Sequence, residues 1–420
     1  MYVFLAAALI RYVTIGADAM PEVYVADADA HVVSTDGKVA VVEVHDDDLE
    51  SLSELMHERH DRCGGYMVHD TLEEALTADA PARGPIDYTI DRGELVRNAM
   101  SVIDETKITD TIRQLSSMQN RYYQSKSGAE ASEWLLDRWK KLAAGRNDVS
   151  FELFDQGYPQ KSVIMTILGT TKPDEVIVIG GHLDSIALGG KAANAPGADD
   201  DASGIATLTE VARALMTSNY RPERTIKFMA YAAEEVGLRG SLAIAKDFQK
   251  RKVNVVGALQ LDMTNYQGSD KDIWLMTDFT SAAQNAFVVQ LIETYTGASY
   301  GFDACGYACS DHASWTRIGV PASMPFESRM NQRNKHIHTK KDTLELSQDN
   351  AKHAEKFARL GVAYAIEMGK GSANPRRITT CPSAVQRTLP ASTPDNDHYV
   401  DALLATLLLA AGFAVSRRIV

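Results

Sequence analysis

The feature that most constrains this chain is the alternation, from about residue 87 onward, of short apolar runs with longer segments of helical spacing. Residues 95–115 and 129–142 carry helical periodicity. Strands are expected at 162–167, 175–179, 225–231 and 255–261. Helices are expected between and after them, at 203–217, 241–248, 280–296 and 353–368. Strands that are apolar throughout are buried on both faces. The expected fold class is therefore α/β, a doubly wound, mixed and mostly parallel sheet with helices on both faces. Ligands of such a sheet bind beyond the carboxyl ends of its strands.

Residues 20–86 read differently. Short β-branched runs at 23–25, 32–34 and 39–44, a turn at Asp36-Gly37 and a helix over 48–60 predict a small α+β unit. Pro81 and Pro85 punctuate its end. Ahead of it, residues 1–19 read as a degraded signal peptide: 3–10 is apolar and Ala17-Asp18-Ala19 has the small-x-small form of a cleavage site, but Arg11 interrupts the run. The alternative is a buried first strand or helix of the next unit. After the 87–371 unit, residues 372–420 hold a Pro-, Ser- and Thr-rich linker and an apolar run at 402–415 before Arg417-Arg418. At ~1.5 Å per residue that run spans about 21 Å, short of a ~30 Å hydrocarbon core. It reads either as an anchoring tail, attaching the chain to a membrane or envelope, or as a short docked helix.

The chain carries 43 Lys+Arg against 56 Asp+Glu, a net charge of −13. That balance, without a basic stripe, argues against nucleic acid as a partner and suits metal ions. Its 4 Cys are too few for a disulfide scaffold.

The acids and histidines gather where strands end. The run at 175–179 leads into Gly180-Gly181-His182-Leu183-Asp184-Ser185. His182 and Asp184 are two apart and share a face of an extended segment, so Asp184 is placed to orient a metal-bound imidazole. Asp199-Asp200-Asp201 opens the helix at 203; one Asp satisfies a cap, and three invite a cation. Glu234 and Glu235 follow the strand at 225–231, and adjacent strand residues face opposite ways, so the two can divide tasks. Asp262 ends the strand at 255–261, and His338 lies in a polar loop. Each motif alone also fits a cap, a turn or a surface histidine. Together they offer imidazole and carboxylate donors without thiolate, which suits Zn²⁺, or less well Mn²⁺ or Co²⁺. Five donors exceed one tetrahedral ion with an open site and fit two ions ~3.5–4 Å apart sharing a carboxylate.

The motifs GGHLDS, APGADDDASG, MAYAAEEVGLRGS, LQLDMTNY, CGYACSDHASW and MPFES…IHT with DTL resemble those of the secreted bacterial leucyl aminopeptidases, two-zinc exopeptidases of the zinc-peptidase α/β fold. The resemblance runs from about 100 to about 370. It implies His182 and Asp262 as ligands on separate ions, Glu235 and His338 as their counterparts, and Asp200 bridging. Asp199 and Asp201 become supporting residues, Glu234 the general base, Asp184 the orienter of His182, and Tyr307 the hydroxyl that helps hold the oxyanion. Cys305 and Cys309 match the family's short disulfide. Met263, Met324, Phe326, Met330 and Ile337 fit its apolar side-chain pocket, although Met330 and Arg333 stand where relatives carry aromatics. The resemblance further implies an inhibitory prosequence at 20–86, peptide and protein N-termini as substrates, a secreted chain and a monomer. A cyclase-like acyltransferase of the same fold would use one zinc and lack the full donor set.

Overall fold

The computed structural model describes residues 9–373 apart from 61, 63, 78, 82 and 83. The linker and apolar tail, Cys63, Cys381 and the first eight residues lie outside the described residues.

The N-terminal unit is an antiparallel sheet with helices packed on it. Its strands are β1 (Ile10–Gly16), β2 (His31–Thr35), β3 (Val39–His45) and β4 (Tyr66–His69), in the order β2-β3-β1-β4. Its helices are α1 (Met20–Ala26), α2 (Leu49–His60) and α3 (Leu72–Leu76). Val13 and Ile15 of β1 point into the same core as Val42, Val44, Leu52 and Met56. Two expectations change here. Residues 10–16 are an inner strand paired on both edges, as the alternative reading of the first segment has it, so the unit begins before residue 20, and Ala19 is buried. Residues 23–25 belong to α1, because Pro21 near the first turn starts a helix that their β-branched character does not prevent.

The larger unit opens with α4 (Gly93–Met100), α5 (Glu105–Ser116) and α6 (Lys126–Leu142). The single helix expected over 95–115 is two, because Asp104 caps α5 through the Thr106 amide and ends the run before it. There follow β5 (Val149–Phe154), β6 (Ser162–Ile167), β7 (Lys172–His182), α7 (Ala202–Thr217), β8 (Tyr220–Arg221), β9 (Arg224–Tyr231), α8 (Arg239–Lys250) and β10 (Asn254–Gln260). The chain then runs through β11 (Ile273–Met276), α9 (Ala282–Leu291), β12 (Tyr300–Asp303), α10 (His312–Arg317), β13 (Ala322–Ser323), β14 (Pro325–Phe326), α11 (Lys352–Gly369) and β15 (Ser372–Ala373).

The central sheet has the order β13-β10-β7-β9-β6-β5. β13, β10, β7 and β9 are parallel, and β6 and β5 complete one edge antiparallel. Alternate residues of β7 feed two cores: Ile177 and Ile179 join the helices α4 to α7 and α11, while Val176 and Val178 join α8 and α10. This is the two-faced burial that continuous apolar strands imply. A smaller sheet, β12-β11-β14, stands beside the carboxyl edge and walls an apolar cluster. Among the described residues no helix is long and apolar enough to cross a membrane.

Candidate metal centre

Strand register builds the site. Gly180 of β7 lies beside Gln260 of β10, and His182 lies beside Tyr231 of β9. His182, Asp262 and the turn holding Glu234 and Glu235 therefore emerge together at one edge. Two glycines let α7 close over that edge. A Cβ on Gly181 would sit 2.7 Å from the Leu261 carbonyl oxygen, and one on Gly204 would sit 2.2 Å from the same oxygen. Asp201 ties the three segments: Oδ1 accepts from the amides of Gly204 and Met263 at 2.9 and 3.1 Å, and Oδ2 accepts from the His182 amide at 3.0 Å. The Asp200–Asp201 peptide is cis.

Asp200 lies between two imidazoles. Its Oδ1 is 2.9 Å from His182 Nε2 and its Oδ2 is 3.2 Å from His338 Nε2. Glu235 Oε2 lies 2.6 Å from His338 Nε2, and Asp262 Oδ1 lies 3.6 Å from His182 Nε2. The donors thus form two halves that share Asp200. The resemblance sets His182 and Asp262 on separate ions, whereas here the parallel register of β7 and β10 brings the two side chains to 3.6 Å, in the same half of the cluster. Ligand atoms of His182, Asp200 and Glu235 all lie within 4.8 Å of one another, and so do those of His182, Asp201 and Asp262.

Every one of these residues is buried, at 0–5% exposure. Burial pushes the Glu235 carboxyl up to about 7, with Asp200 adding to it. Glu234 is raised well above the usual carboxylate range by burial and by Asp311, Glu235 and Asp262. Burial alone would raise Asp200 as well, but hydrogen bonds from His182 and His338 hold it well below its ordinary value. His182 is raised despite burial, by the charges of Asp262 and Glu234. A sealed cluster with more acid than base is an environment that a divalent cation relieves. Carboxylate and imidazole donors without thiolate fit zinc.

The Glu234–Glu235 pair is not on a strand. β9 ends at Tyr231, and Ala233 at φ 55 turns the chain before the two acids. Their separation comes from Asp184, whose Oδ1 and Oδ2 accept the amides of Glu234 and Glu235 at 3.0 and 3.2 Å. Asp184 Oδ1 also lies 3.5 Å from His182 Nδ1.

Tyr307, Cys309, Met263, Met324, Phe326 and Ile337 pack into one apolar cluster, with Cys305 and Met330 at its margin. Trp274 and Met276 of β11 complete it and were not singled out from the sequence, because a four-residue strand carries too little periodicity to read. Cys305 and Cys309 are disulfide-bonded, with Gly306 between them at φ +84. Arg333 is buried, and its Nη1 donates to the Met330 carbonyl at 2.8 Å.

Sequence reasoning also missed two supports. Arg121, fully buried, donates to the carbonyls of Leu183, Pro196 and Gly197 at 2.9, 2.6 and 2.9 Å, fastening both loops that carry the donors. Asp342 accepts the amides of Asp199 and Asp200, and Asn334 donates to both Asp199 and Asp342. Asp342 is the aspartate of the DTL motif, which was quoted for the resemblance without a role for that residue.

The N-terminal unit meets this edge directly. Ser53 Oγ donates to the Glu235 carbonyl at 3.0 Å, and the Val68 amide donates to the Gly237 carbonyl at 3.1 Å. Arg62 lies over the Tyr307 ring, 5.4 Å from its centroid, and Asp46 pairs with Arg239 at 3.0 Å.

Comparison with known proteins agrees with this geometry. A profile of the family described as Peptidase family M28 matches residues 162–362, a span that holds all five donors. A probable aminopeptidase of Saccharomyces cerevisiae is 36% identical over 295 residues, 68% of this chain and 78% of that protein. Leucine aminopeptidase 1 of Pyrenophora teres f. teres is 37% identical over 289 residues, 66% of this chain and 73% of that protein. The LapA aminopeptidase of Legionella pneumophila superposes with a TM-score of 0.76 at 28% identity, over 86% of this chain and 99% of that one. That 86% exceeds the share of the chain lying beyond residue 86, so the likeness takes in part of the N-terminal unit.

Proposed function

We propose, from the premise that this chain belongs to peptidase family M28, that it is a two-zinc aminopeptidase releasing apolar, leucine-like residues from the free N-termini of peptides and proteins. The observation that carries the reading is the pair of buried imidazoles on opposite oxygens of Asp200, each with a further carboxylate beside it. His182 and Asp262 would hold one ion, His338 and Glu235 the other, and Asp200 both. When bound, zinc supplies Lewis acidity that polarises the scissile carbonyl and brings the pKa of water towards about 7.

The chain's own groups do the rest. Glu234, buried and raised in pKa, takes the proton of the attacking water and delivers it to the leaving amine. Asp184 holds the Glu234 and Glu235 amides and faces His182 Nδ1, so it fixes the base and the ligand in one frame. The Tyr307 hydroxyl is assigned to the developing oxyanion. Carboxylates around the centre attract the substrate's α-ammonium, which makes the enzyme count from the N-terminus. The cluster of Met263, Trp274, Met276, Met324, Phe326, Met330 and Ile337 receives the side chain.

Residues up to 86 are read as an inhibitory prosegment, because the donors beneath them are almost wholly buried. The Cys305–Cys309 disulfide supports export to an oxidising compartment. The reading takes the mature enzyme as a monomer.

Metal content tests the reading. Zinc-loaded, desalted protein assayed by atomic emission is expected to carry two zinc ions per chain. One ion per chain would favour the single-zinc acyltransfer chemistry of cyclase-like relatives.

A further inference from the structure

The N-terminal unit does more than cover the edge. Helix α2 presents Glu50, Ser53, Glu54 and His57, spaced so that they form one stripe along the helix. Three of them are anchored on the larger unit. Glu50 Oε2 accepts from the Tyr122 hydroxyl at 2.7 Å, Ser53 Oγ donates to the carbonyl of Glu235 at 3.0 Å, and Glu54 Oε1 accepts from the Gly189 amide at 3.0 Å. These contacts fix both the register and the rotation of α2. The fourth member, His57, is thereby delivered to His338, with ring centroids 4.4 Å apart and planes inclined by 45°. His57 Nδ1 is shut off from solvent. His338 is the imidazole whose Nε2 faces Glu235 and Asp200.

We propose that His57 is a metal ligand of the latent enzyme, supplied by the N-terminal unit to the His338–Glu235 half of the centre, where it fills the position that substrate must take. The inference rests on the two-zinc reading. A helix needed only to cover the edge would be served by any side chain of that volume. An imidazole there adds the donor that zinc takes most readily, in its neutral form. Release of the N-terminal unit then opens a coordination position as well as a path for the peptide.

The test uses the full chain, as wild type and as His57→Phe, which keeps a ring of similar size and removes both nitrogens. Both are loaded with Co²⁺ and their visible absorption recorded, and both are titrated with Zn²⁺ against a chromophoric chelator. His57→Phe is expected to change the cobalt spectrum and to weaken one of two zinc ions by roughly tenfold or more. In wild-type protein with ¹⁵N-labelled imidazoles, a third histidine beside His182 and His338 is expected to shift on zinc binding. Its signal should vanish in His57→Gln, a measurement that survives poor folding of the Phe variant. Identical cobalt spectra and zinc affinities, with only two imidazoles shifting, would overturn the proposal and leave the two-zinc reading standing. Wild-type protein that binds fewer than two ions would overturn both.

Discussion

Glu234 and Glu235 are adjacent and chemically identical, and only their surroundings separate them. Glu235 turns its carboxylate to His338 at 2.6 Å, whereas Glu234 is held by its amide on Asp184 and raised well above the usual carboxylate range by burial. In the proposed mechanism that division suits Glu235 to hold a metal and Glu234 to act as the base. Glu234→Gln is therefore expected to retain zinc and lose turnover by roughly 10²–10⁴-fold. Zinc content measured beside kcat on leucine p-nitroanilide checks it, and near-wild-type turnover would remove Glu234 from that role. At this scale the sequence reading went far. His182, Asp200, Glu235, Asp262 and His338 were named from motifs, and the structure brings all of them together. Their grouping was not legible, because it depends on which strand ends are neighbours. Arg121 was not legible either. It acts through backbone carbonyls from loops far along the chain, and such contacts leave no spacing in the sequence.

Among elements, long apolar strands and helices declared themselves. β7, β9 and β10 and helices α7, α8 and α11 fall close to where periodicity placed them. Shorter elements did not. β11, β12 and β14 are each four residues or fewer, and β5 alternates only weakly between half-buried and exposed positions. Residues 280–296 were expected as one helix. The structure ends the regular helix at Leu291 and widens the last turn to Thr296, where Gly297 at φ 67 stops it. β1 was legible only as an alternative, a buried first strand, since Arg11 made the run look like an interrupted signal peptide. In the folded unit Arg11 leaves the sheet to pair with Asp46 at 2.8 Å, so it breaks no core. Motif glycines were legible as motif and not as cause: Gly181 and Gly204 are required because Leu261 passes too close for any Cβ.

Over the whole molecule, partly exposed ion pairs and a buried histidine lie where the N-terminal unit meets the larger unit, and that makes their association sensitive to acid. His69, buried at the end of β4, is pushed down to about 3 by burial and by the nearby Arg317 and Lys246. Thr14 Oγ1 lies 2.9 Å from its Nε2. Lys246 pairs with Glu74 at 2.6 Å and lies 3.7 Å from Asp70, while Arg317 lies 3.5 Å from Asp79. Because the folded value lies below the unfolded one of about 6.5, the unfolded state takes up its proton first as pH falls. The stabilisation is whole above about 6.5 and shrinks as pH falls towards 3, by about 2 kcal/mol at pH 5. Limited proteolysis of the full chain is expected to cut within residues 10–80 faster at pH 5 than at pH 7, and His69→Gln should flatten that dependence. Equal cleavage at the two pH values in wild-type protein would show that His69 plays no such part.

The most direct test is a paired rate measurement on zinc-loaded chain whose N-terminal unit has been released by limited proteolysis near residues 77–92. Leucine p-nitroanilide and its N-acetylated form are assayed side by side. A two-zinc aminopeptidase that binds the substrate's free amine cleaves the first rapidly and leaves the second intact. Equal cleavage of both, or cleavage of neither with two zinc ions bound, would contradict it.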